Sequence, residues 1–553
     1  MIKTRLISSL EKPFVDMKIE DFAELGSICG LKGERLSFQL IHTRVAGAEW
    51  ACRSVANVQV EGKLAEYVTV RNVASVAALF PIHPHNRDND LLRDTPGLYP
   101  DLLEPLRKGG NAIVRENFLG ALWFDIELPK DVDFHGESAL TVKLVENGNV
   151  ISENTLTVKV LNAILPEQTM YYTEWFHCDC LAQYYRVPMF SEEHWRIIEN
   201  FARVAVKNGI NMLLTPTFTP PLDTQVGGER LTTQLVGVTL EGGKYTFDFT
   251  LLDRWVAMCD RVGIKYFEIA HMFTQWGVAH APKVMATVDG EYKRIFGWDT
   301  DATSEEYSTF LRTFLTEFLA HMKKNGNDKR CFFHISDEPN EQHIEAYKAA
   351  KAIVSDLLKD YVIMDALSRY EFYAEGILET PIPSNNHIEP FIENKVPNLW
   401  TYYCCSQCIN VSNRLIAMSS WRNRSIGMQM YKYDIVGFLQ WGYNFYNNIY
   451  STDPINPYVI SDGDAWVPAG DAFSVYPGLE GEALESMRIV VFAHALQDVS
   501  AMKLCESLYS KEEVVKAIED VLGFNLTFST CAPTAEKMQG VRDVINEMIE
   551  RKL

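Results

Sequence analysis

The chain has 553 residues, with 52 basic against 73 acidic side chains, a formal charge of −21, and 47% apolar and 12% aromatic content. So acidic a balance excludes general binding to nucleic acid or to an anionic membrane, since both need a basic face. The aromatic content excludes wholesale disorder, and the length allows about three or four domains, or one large barrel with additions. Eleven cysteines cannot all pair. Cys405 and Cys408 have Cys-x-x-Cys spacing, but with no second ligand pair nearby they read as free thiols rather than a zinc site. The opening MIKTRLISSLEKPF lacks the apolar run of a secretion signal, and no stretch of 18 apolar residues marks a membrane span. The expectation is a cytoplasmic protein with reduced thiols.

Residues 1–165 read as an antiparallel β-sandwich. LSFQLIHTRV, EYVTVRNV, ALWFDIELP and ALTVKLVENGNVISENTLTVKVL alternate or run in β-branched residues, and Asn147-Gly148 is a hairpin signal. His83-Pro-His85, followed by Asn86, Asp88 and Asp90, offers metal-ligand chemistry but reads as a solvated loop of this domain. From residue 166 to 510 the pattern becomes short apolar strands alternating with helix-length amphipathic stretches. Eight strands can be counted: MYYTEWF (170–176), INMLLTP (210–216), IKYFEIAH (264–271), CFFHISD (331–337), YVIMDAL (361–367), a weak PIPSNN (381–386), NLWTYYCC (398–405) and IVGFLQW (435–441). Gly227-Gly228 and Gly242-Gly243 read as hairpin turns within this region. The fold class expected is therefore multidomain α and β, with the sandwich followed by a (β/α)8 TIM-type barrel and closing helices. Residues 511–553 form a C-terminal helical extension.

In such a barrel, chemistry belongs at the C-terminal ends of the strands. Those ends carry Glu174-Trp175, Glu268 with His271, His334 with Asp337-Glu338, Asp365, Tyr402-Tyr403, and Trp441 with Tyr443-Asn444. Aromatic faces stack on the C–H faces of sugars while carboxylates and amides bind hydroxyls, so the mixture suits a neutral carbohydrate. Asp337-Glu338 is the sharpest feature, because a buried strand runs into it and Pro339 ends that strand. Adjacent carboxyls can take opposite acid and base roles when their environments separate their pKa values. The alternative is a helix N-cap, with Ser336 or Asp337 capping a helix over 341–358.

FFHISDEP (332–339), GFLQWGYNFYN (437–447), Gly470-Asp471, Tyr476–Gly478, and Ser486-Met-Arg488 ahead of a helix containing Asp498 resemble glycoside hydrolase family 123, over roughly residues 110 to 505. The resemblance implies an N-terminal sandwich and a catalytic barrel. It also implies an exo-acting, retaining β-N-acetylgalactosaminidase in which the substrate's own 2-acetamido oxygen is the nucleophile. Asp337 would then orient the acetamido nitrogen and stabilise the oxazolinium ion. Glu338 would protonate the glycosidic oxygen and then activate water. Trp175, His271, His334, Asp365, Tyr403, Trp441, Tyr443 and Asn444 are the candidate substrate-binding residues. No metal and no cofactor are expected. The partner is a small glycoside or oligosaccharide, and a homo-oligomer is compatible with the charge. Two other readings stay open: a glycosidase for non-acetamido sugars, with Glu174, Glu268 or Asp365 as the further carboxylate, and an inactive carbohydrate-binding protein.

Overall fold

The computed structural model describes residues 2–45 and 53–553. Cys52 lies outside the described residues, and the ten other cysteines are free thiols. No helix among the described residues is long and apolar enough to cross a membrane.

The N-terminal region is two five-stranded sheets. One runs in the order Ile2–Ser8, Arg35–Arg44, Gly120–Glu127, Val68–Ala78, Gly97–Pro105. The other runs Ser27–Lys32, Asn149–Ile164, Gly136–Glu146, Arg53–Glu61, Asn111–Arg115. Neighbours are antiparallel except the edge pair Ser27–Lys32 and Asn149–Ile164, which is parallel. Asn147 and Gly148 make the expected hairpin with φ of 51° and 80°, the positive pair that a two-residue turn needs.

Strand Gly120–Glu127 explains how this region meets the rest of the chain. It is buried along nearly its whole length, so it reads as a continuous apolar run rather than an alternation. Leu122, Phe124 and Ile126 point into the core between the two sheets. Trp123 points the other way, into the core shared with the barrel. Asp125, on that same outer face, binds Arg35 at 2.9 Å and also Arg71, and both arginines reach Glu485. Arg488 pairs with Asp101 at 2.8 Å, a second buried ion pair across the junction. Each pair fixes orientation, because a partner removed would leave an uncompensated buried charge.

The eight expected strands all form. In chain order the barrel strands are Tyr171–Glu174, Met212–Thr215, Tyr266–Ile269, Cys331–Phe333, Val362–Ala366, Thr380–Ile382, Trp400–Tyr402 and Gly437–Gln440. They are parallel and lie in the order sixth, fifth, fourth, third, second, first, eighth, seventh. The seam between sixth and seventh is spanned by a parallel bridge between Ser384 and Tyr402, with Tyr402 N–H donating to Pro383 O at 3.1 Å. The result is a nearly closed eight-stranded parallel barrel. The sixth strand is short because Pro381 and Pro383 lack the N–H that a ladder needs. Full crossover helices, Glu192–Lys207, Thr250–Val262, Glu305–Lys324 and Ile344–Leu358, link the first five strands, whereas the next two crossovers keep only Tyr370–Ala374 and Glu389–Glu393.

The lower end of the barrel is plugged by aromatic rings. Tyr171 stacks on Trp400 with centroids 5.4 Å apart, and Tyr266 and Phe332 lie at 4.9 and 5.3 Å from Tyr171. Gly437 makes room for this plug: a Cβ there would sit 2.2 Å from the Trp400 ring. With the base closed, open space is left at the C-terminal rim. Met487–Leu508 covers Ser420–Lys432 from outside, and Ala535–Glu550 reaches back to the sandwich through Arg542 and Glu34 at 2.6 Å.

Two local expectations need correction. Gly242-Gly243 does close a hairpin, between Gly237–Glu241 and Lys244–Asp248, but Gly227-Gly228 joins no two strands. The His83 loop is not simply solvated: it docks on the barrel, with Asp88 paired to Arg422 at 2.7 Å and His83 Nε2 3.1 Å from Cys405 O.

Candidate active site

A cavity of about 190 Å³ opens at the C-terminal rim of the barrel, lined by Trp175, Asp223, Trp276, Asp337, Glu338, Tyr402, Cys404, Cys405, Trp441 and Trp466 among others. Consecutive residues of an extended strand face opposite ways, yet Asp337 and Glu338 both line it. The backbone accounts for this. The fourth strand ends at Phe333, and Glu338 adopts a left-handed φ of 46°, a conformation costing a non-glycine residue about 1–2 kcal/mol. Neighbouring segments pin the turn on both sides: Trp276 N–H donates to Asp337 O at 3.1 Å and Glu338 N–H to Ala366 O at 3.0 Å. Strain held in place by its surroundings is a mark of functional sites. The dyad is not a helix cap, because the following helix is capped by Asn340, whose Oδ1 accepts from Gln342 N–H at 2.9 Å.

The two carboxyls differ in setting. Asp337 is buried, and its Oδ1 has no hydrogen-bond partner among the described residues. Burial, then the charges of Glu338 and Asp223, push its pKa well above the ordinary carboxylate value. Glu338 is open to solvent through the cavity mouth, although protein surrounds it on the other sides. That enclosure raises it too, and hydrogen bonds from Tyr402 and Trp276 partly offset the rise. The Tyr402 hydroxyl donates to Glu338 Oε1 at 2.8 Å. Glu338 is solvent-exposed, so any ligand that covers it enlarges its shift.

Asp223 is the third carboxyl of the cavity. It lies in the loop after the second barrel strand with φ of 46°, its N–H held by Gln275 Oε1 at 2.8 Å and its carbonyl by Ser451 at 2.7 Å. Among the described residues no hydrogen bond reaches its carboxyl, and burial lifts its pKa to about 7.

Beneath the cavity is a buried charge network. His334 lies between Glu268, 2.7 Å from Nε2, and Asp365, 3.0 Å from Nδ1. Those two carboxylates outweigh burial and raise the imidazole pKa to about 10. Glu268 also accepts from Trp175 Nε1 at 2.8 Å, which fixes the indole at the cavity wall, and Tyr347 donates to Asp365 at 2.5 Å. The His271 ring stacks on His334 at 4.2 Å and meets the Trp175 ring edge-on at 5.2 Å. His271, His334 and Asp365 bring donor atoms within 4.8 Å of one another, as a metal site would. However, His334 uses both nitrogens on carboxylates, and as an imidazolium it has no lone pair for a metal.

Of the residues expected to meet substrate, Trp175 and Trp441 line the cavity with the dyad. Trp441 is oriented by Asp471 Oδ2 at 2.9 Å and packs on Trp466 at 5.5 Å. His271, His334 and Asp365 lie in the layer below. Tyr403, Tyr443 and Asn444 lie outside the cavity lining. The Tyr403 hydroxyl bonds Asn423 at 3.1 Å and that of Tyr443 bonds Phe201 O at 2.8 Å, both in packing toward the helices. Asn444 clamps the first rim loop through His177 N–H at 2.9 Å. Alternation along the strand accounts for the tyrosines: Tyr402 faces inward, so Tyr403 faces outward. Asp223, Trp276, Tyr402 and Trp466 are further residues of the wall. Tyr402 ends the seventh strand, and Trp276 lies in the loop that follows the third. Asp223 and Trp466 sit in long loops whose course no local pattern fixes.

The profile described as glycoside hydrolase 123, catalytic domain, matches residues 175–505, more than half of the chain. A solved structure of a family 123 glycoside hydrolase from Clostridium perfringens, described in terms of glycolipid glycan hydrolysis, superposes with a TM-score of 0.72 at 13% identity, covering 100% of this chain and 98% of that one. A family 39 glycoside hydrolase from Bacteroides cellulosilyticus matches at a TM-score of 0.32 and 10% identity, covering 78% of this chain and 77% of that one, too distant to bear on the site. No curated protein matches in sequence. The chain belongs to glycoside hydrolase family 123.

Proposed function

We propose that this protein is an exo-acting retaining β-N-acetylhexosaminidase, with β-linked N-acetylgalactosamine as its foremost substrate and the substrate's 2-acetamido oxygen as nucleophile. The ring of strands is read as a TIM-type (β/α)8 barrel with its chemistry at the C-terminal rim. One observation carries the reading: Asp337 and Glu338 face an aromatic-walled cavity together, and Asp337 presents a buried, unpartnered oxygen there. An amide N–H is a fitting donor for that oxygen.

The other carboxylates at the strand ends are fully engaged. Glu174 holds Arg414 at 2.7 Å and accepts from Tyr172 and Ser474, each at 2.5 Å. Glu268 and Asp365 are occupied by His334. None is placed to attack an anomeric carbon, as a two-carboxylate mechanism requires.

The proton bookkeeping follows from the two settings. Asp337 is buried while Glu338 is open to solvent, so before substrate binds we place the shared proton on Asp337. When the acetamido N–H donates to its oxygen, the ionised form of Asp337 gains a partner, and the proton moves to Glu338, beside the leaving oxygen. Asp337 then stabilises the oxazolinium charge, and Glu338, having given up its proton, draws one from water in the second step. A cavity of about 190 Å³ suits a single terminal sugar and so exo action.

The test is hydrolysis of nitrophenyl β-glycosides of N-acetylgalactosamine, N-acetylglucosamine, galactose and glucose, with Asp337→Asn and Glu338→Gln in parallel. Release from the acetamido sugars alone, reduced about 10²–10⁴-fold in both variants, is the expected result. Release from galactose or glucose would remove the acetamido mechanism and point to Asp223, the remaining carboxylate on the cavity wall.

A further inference from the structure

The cavity wall carries a thiol pair that glycoside hydrolysis does not use. Cys404 and Cys405 follow the seventh strand, and both are half-buried and line the cavity beside Glu338. His83 reaches this point from the sandwich, placing Nε2 3.1 Å from Cys405 O. The Ser406 hydroxyl lies 3.7 Å from the Cys405 sulfur. Cys408 turns its thiol to the Cys405 carbonyl at 3.1 Å, fixing the loop. A half-buried sulfur on a cavity wall, with a hydroxyl 3.7 Å away and an imidazole held on its own backbone carbonyl, has the surroundings of a reactive thiol.

We propose that Cys405 is a modification site: it exchanges with small disulfides and related electrophilic sulfur compounds, and the adduct closes the cavity to sugar. In the exchange, Cys405 Sγ attacks one sulfur of R–S–S–R. That S–S bond breaks, a Cys405–S–S–R bond forms, and R–S⁻ leaves and takes a proton from water. A second thiol reverses the step by the same exchange. The neighbours support the assignment. Cys404 first, then His83 and Ser406, hold the Cys405 thiol below its ordinary value against burial, whereas Cys405 and then burial hold Cys404 well above. The labelling stands by itself; only the closing of the cavity to substrate rests on the hydrolase reading.

The test uses methyl methanethiosulfonate on the folded, full-length protein, with each cysteine's adduct followed by peptide mass mapping near pH 6 and pH 8. Cys405 is expected to label first, with rates differing less than about threefold between the two pH values. An ordinary thiol with pKa near 8.5 would differ by about fiftyfold or more. Cys404→Ala combined with His83→Gln should move the labelling toward the ordinary pH dependence, and Cys405→Ser should remove the fast adduct. Activity toward the nitrophenyl substrate, scored against each variant's own untreated rate, should fall with Cys405 occupancy and return with dithiothreitol. A Cys405 that stays unlabelled in the folded protein, or labels with an ordinary pH dependence, overturns the site. Full labelling with unchanged hydrolysis overturns the closing of the cavity. Because the labelling is read by mass, a failure to cleave any glycoside counts against the hydrolase reading alone.

Discussion

Removing the Tyr402 hydroxyl tests the acid role proposed for Glu338 most directly. The phenol donates to Glu338 Oε1 at 2.8 Å and so favours the ionised carboxylate. A hydrogen bond to a charged group contributes about 1.5–3 kcal/mol. Glu338 is open to the cavity water, so screening reduces this to about 1 kcal/mol. At 1.36 kcal/mol per pKa unit, Tyr402→Phe raises the Glu338 pKa by about 0.7 unit. The protonated acid then survives to higher pH, and the alkaline limb of kcat, which reports the substrate complex in which Glu338 carries the proton, moves up by about the same amount, even if the maximum falls. Tyr403→Phe is the control: its hydroxyl bonds Asn423, away from the cavity, and its limb should stay in place. The assay is the pH profile of nitrophenyl N-acetylgalactosaminide hydrolysis in all three proteins. An alkaline limb that stays put or moves down in Tyr402→Phe would show that Glu338 ionisation does not set it.

Three further outcomes follow from buried charge and close packing. His334 titrates at about 10 in the fold against about 6.5 unfolded. Its stabilisation is therefore complete below about pH 6.5 and lost as pH rises through about 10. His334→Gln should cost about 3–5 kcal/mol near pH 6, by leaving Glu268 and Asp365 without their cation, and the gap to the parent in urea unfolding should shrink toward pH 10. Glu485→Gln, which strips Arg35 and Arg71 of a shared partner at the sandwich–barrel junction, should destabilise by a similar amount, seen as a lower thermal midpoint. Gly442→Ala places a Cβ 2.2 Å from Ala472 O. It should cost about 1–3 kcal/mol and lower turnover by shifting the adjoining Trp441, whereas Gly243→Ala, with open space around it, should leave turnover unchanged.

The long-range pattern of the chain was legible without coordinates. Alternation in the first 165 residues and the rhythm of apolar run and amphipathic helix after them are local consequences of strand and helix periodicity. They yielded both sheets and all eight barrel strands, even the proline-interrupted sixth. The place of Asp337 and Glu338 at the rim was legible too, because a buried strand runs into the pair and Pro339 ends it. A local pattern could not say which rim residues turn inward. Tyr402 and Tyr403 are neighbours of the same type, and only the strand's register on Gly437–Gln440 sends the first to Glu338 and the second to Asn423. Nor could it show that Glu174, Glu268 and Asp365 are taken by Arg414 and His334, since those partners lie 31 to 240 positions away. Asp223, Trp466 and His83 entered the site for the same reason: each sits on a loop whose path is set by packing between distant elements. The sequence by itself determined the elements, their order and the acidic pair, because those depend on short-range periodicity and chain stiffness. Only the tertiary structure decided which carboxyls are free, which imidazole is charged and which thiols line the cavity, because those depend on burial and on partners supplied by the nearly closed barrel.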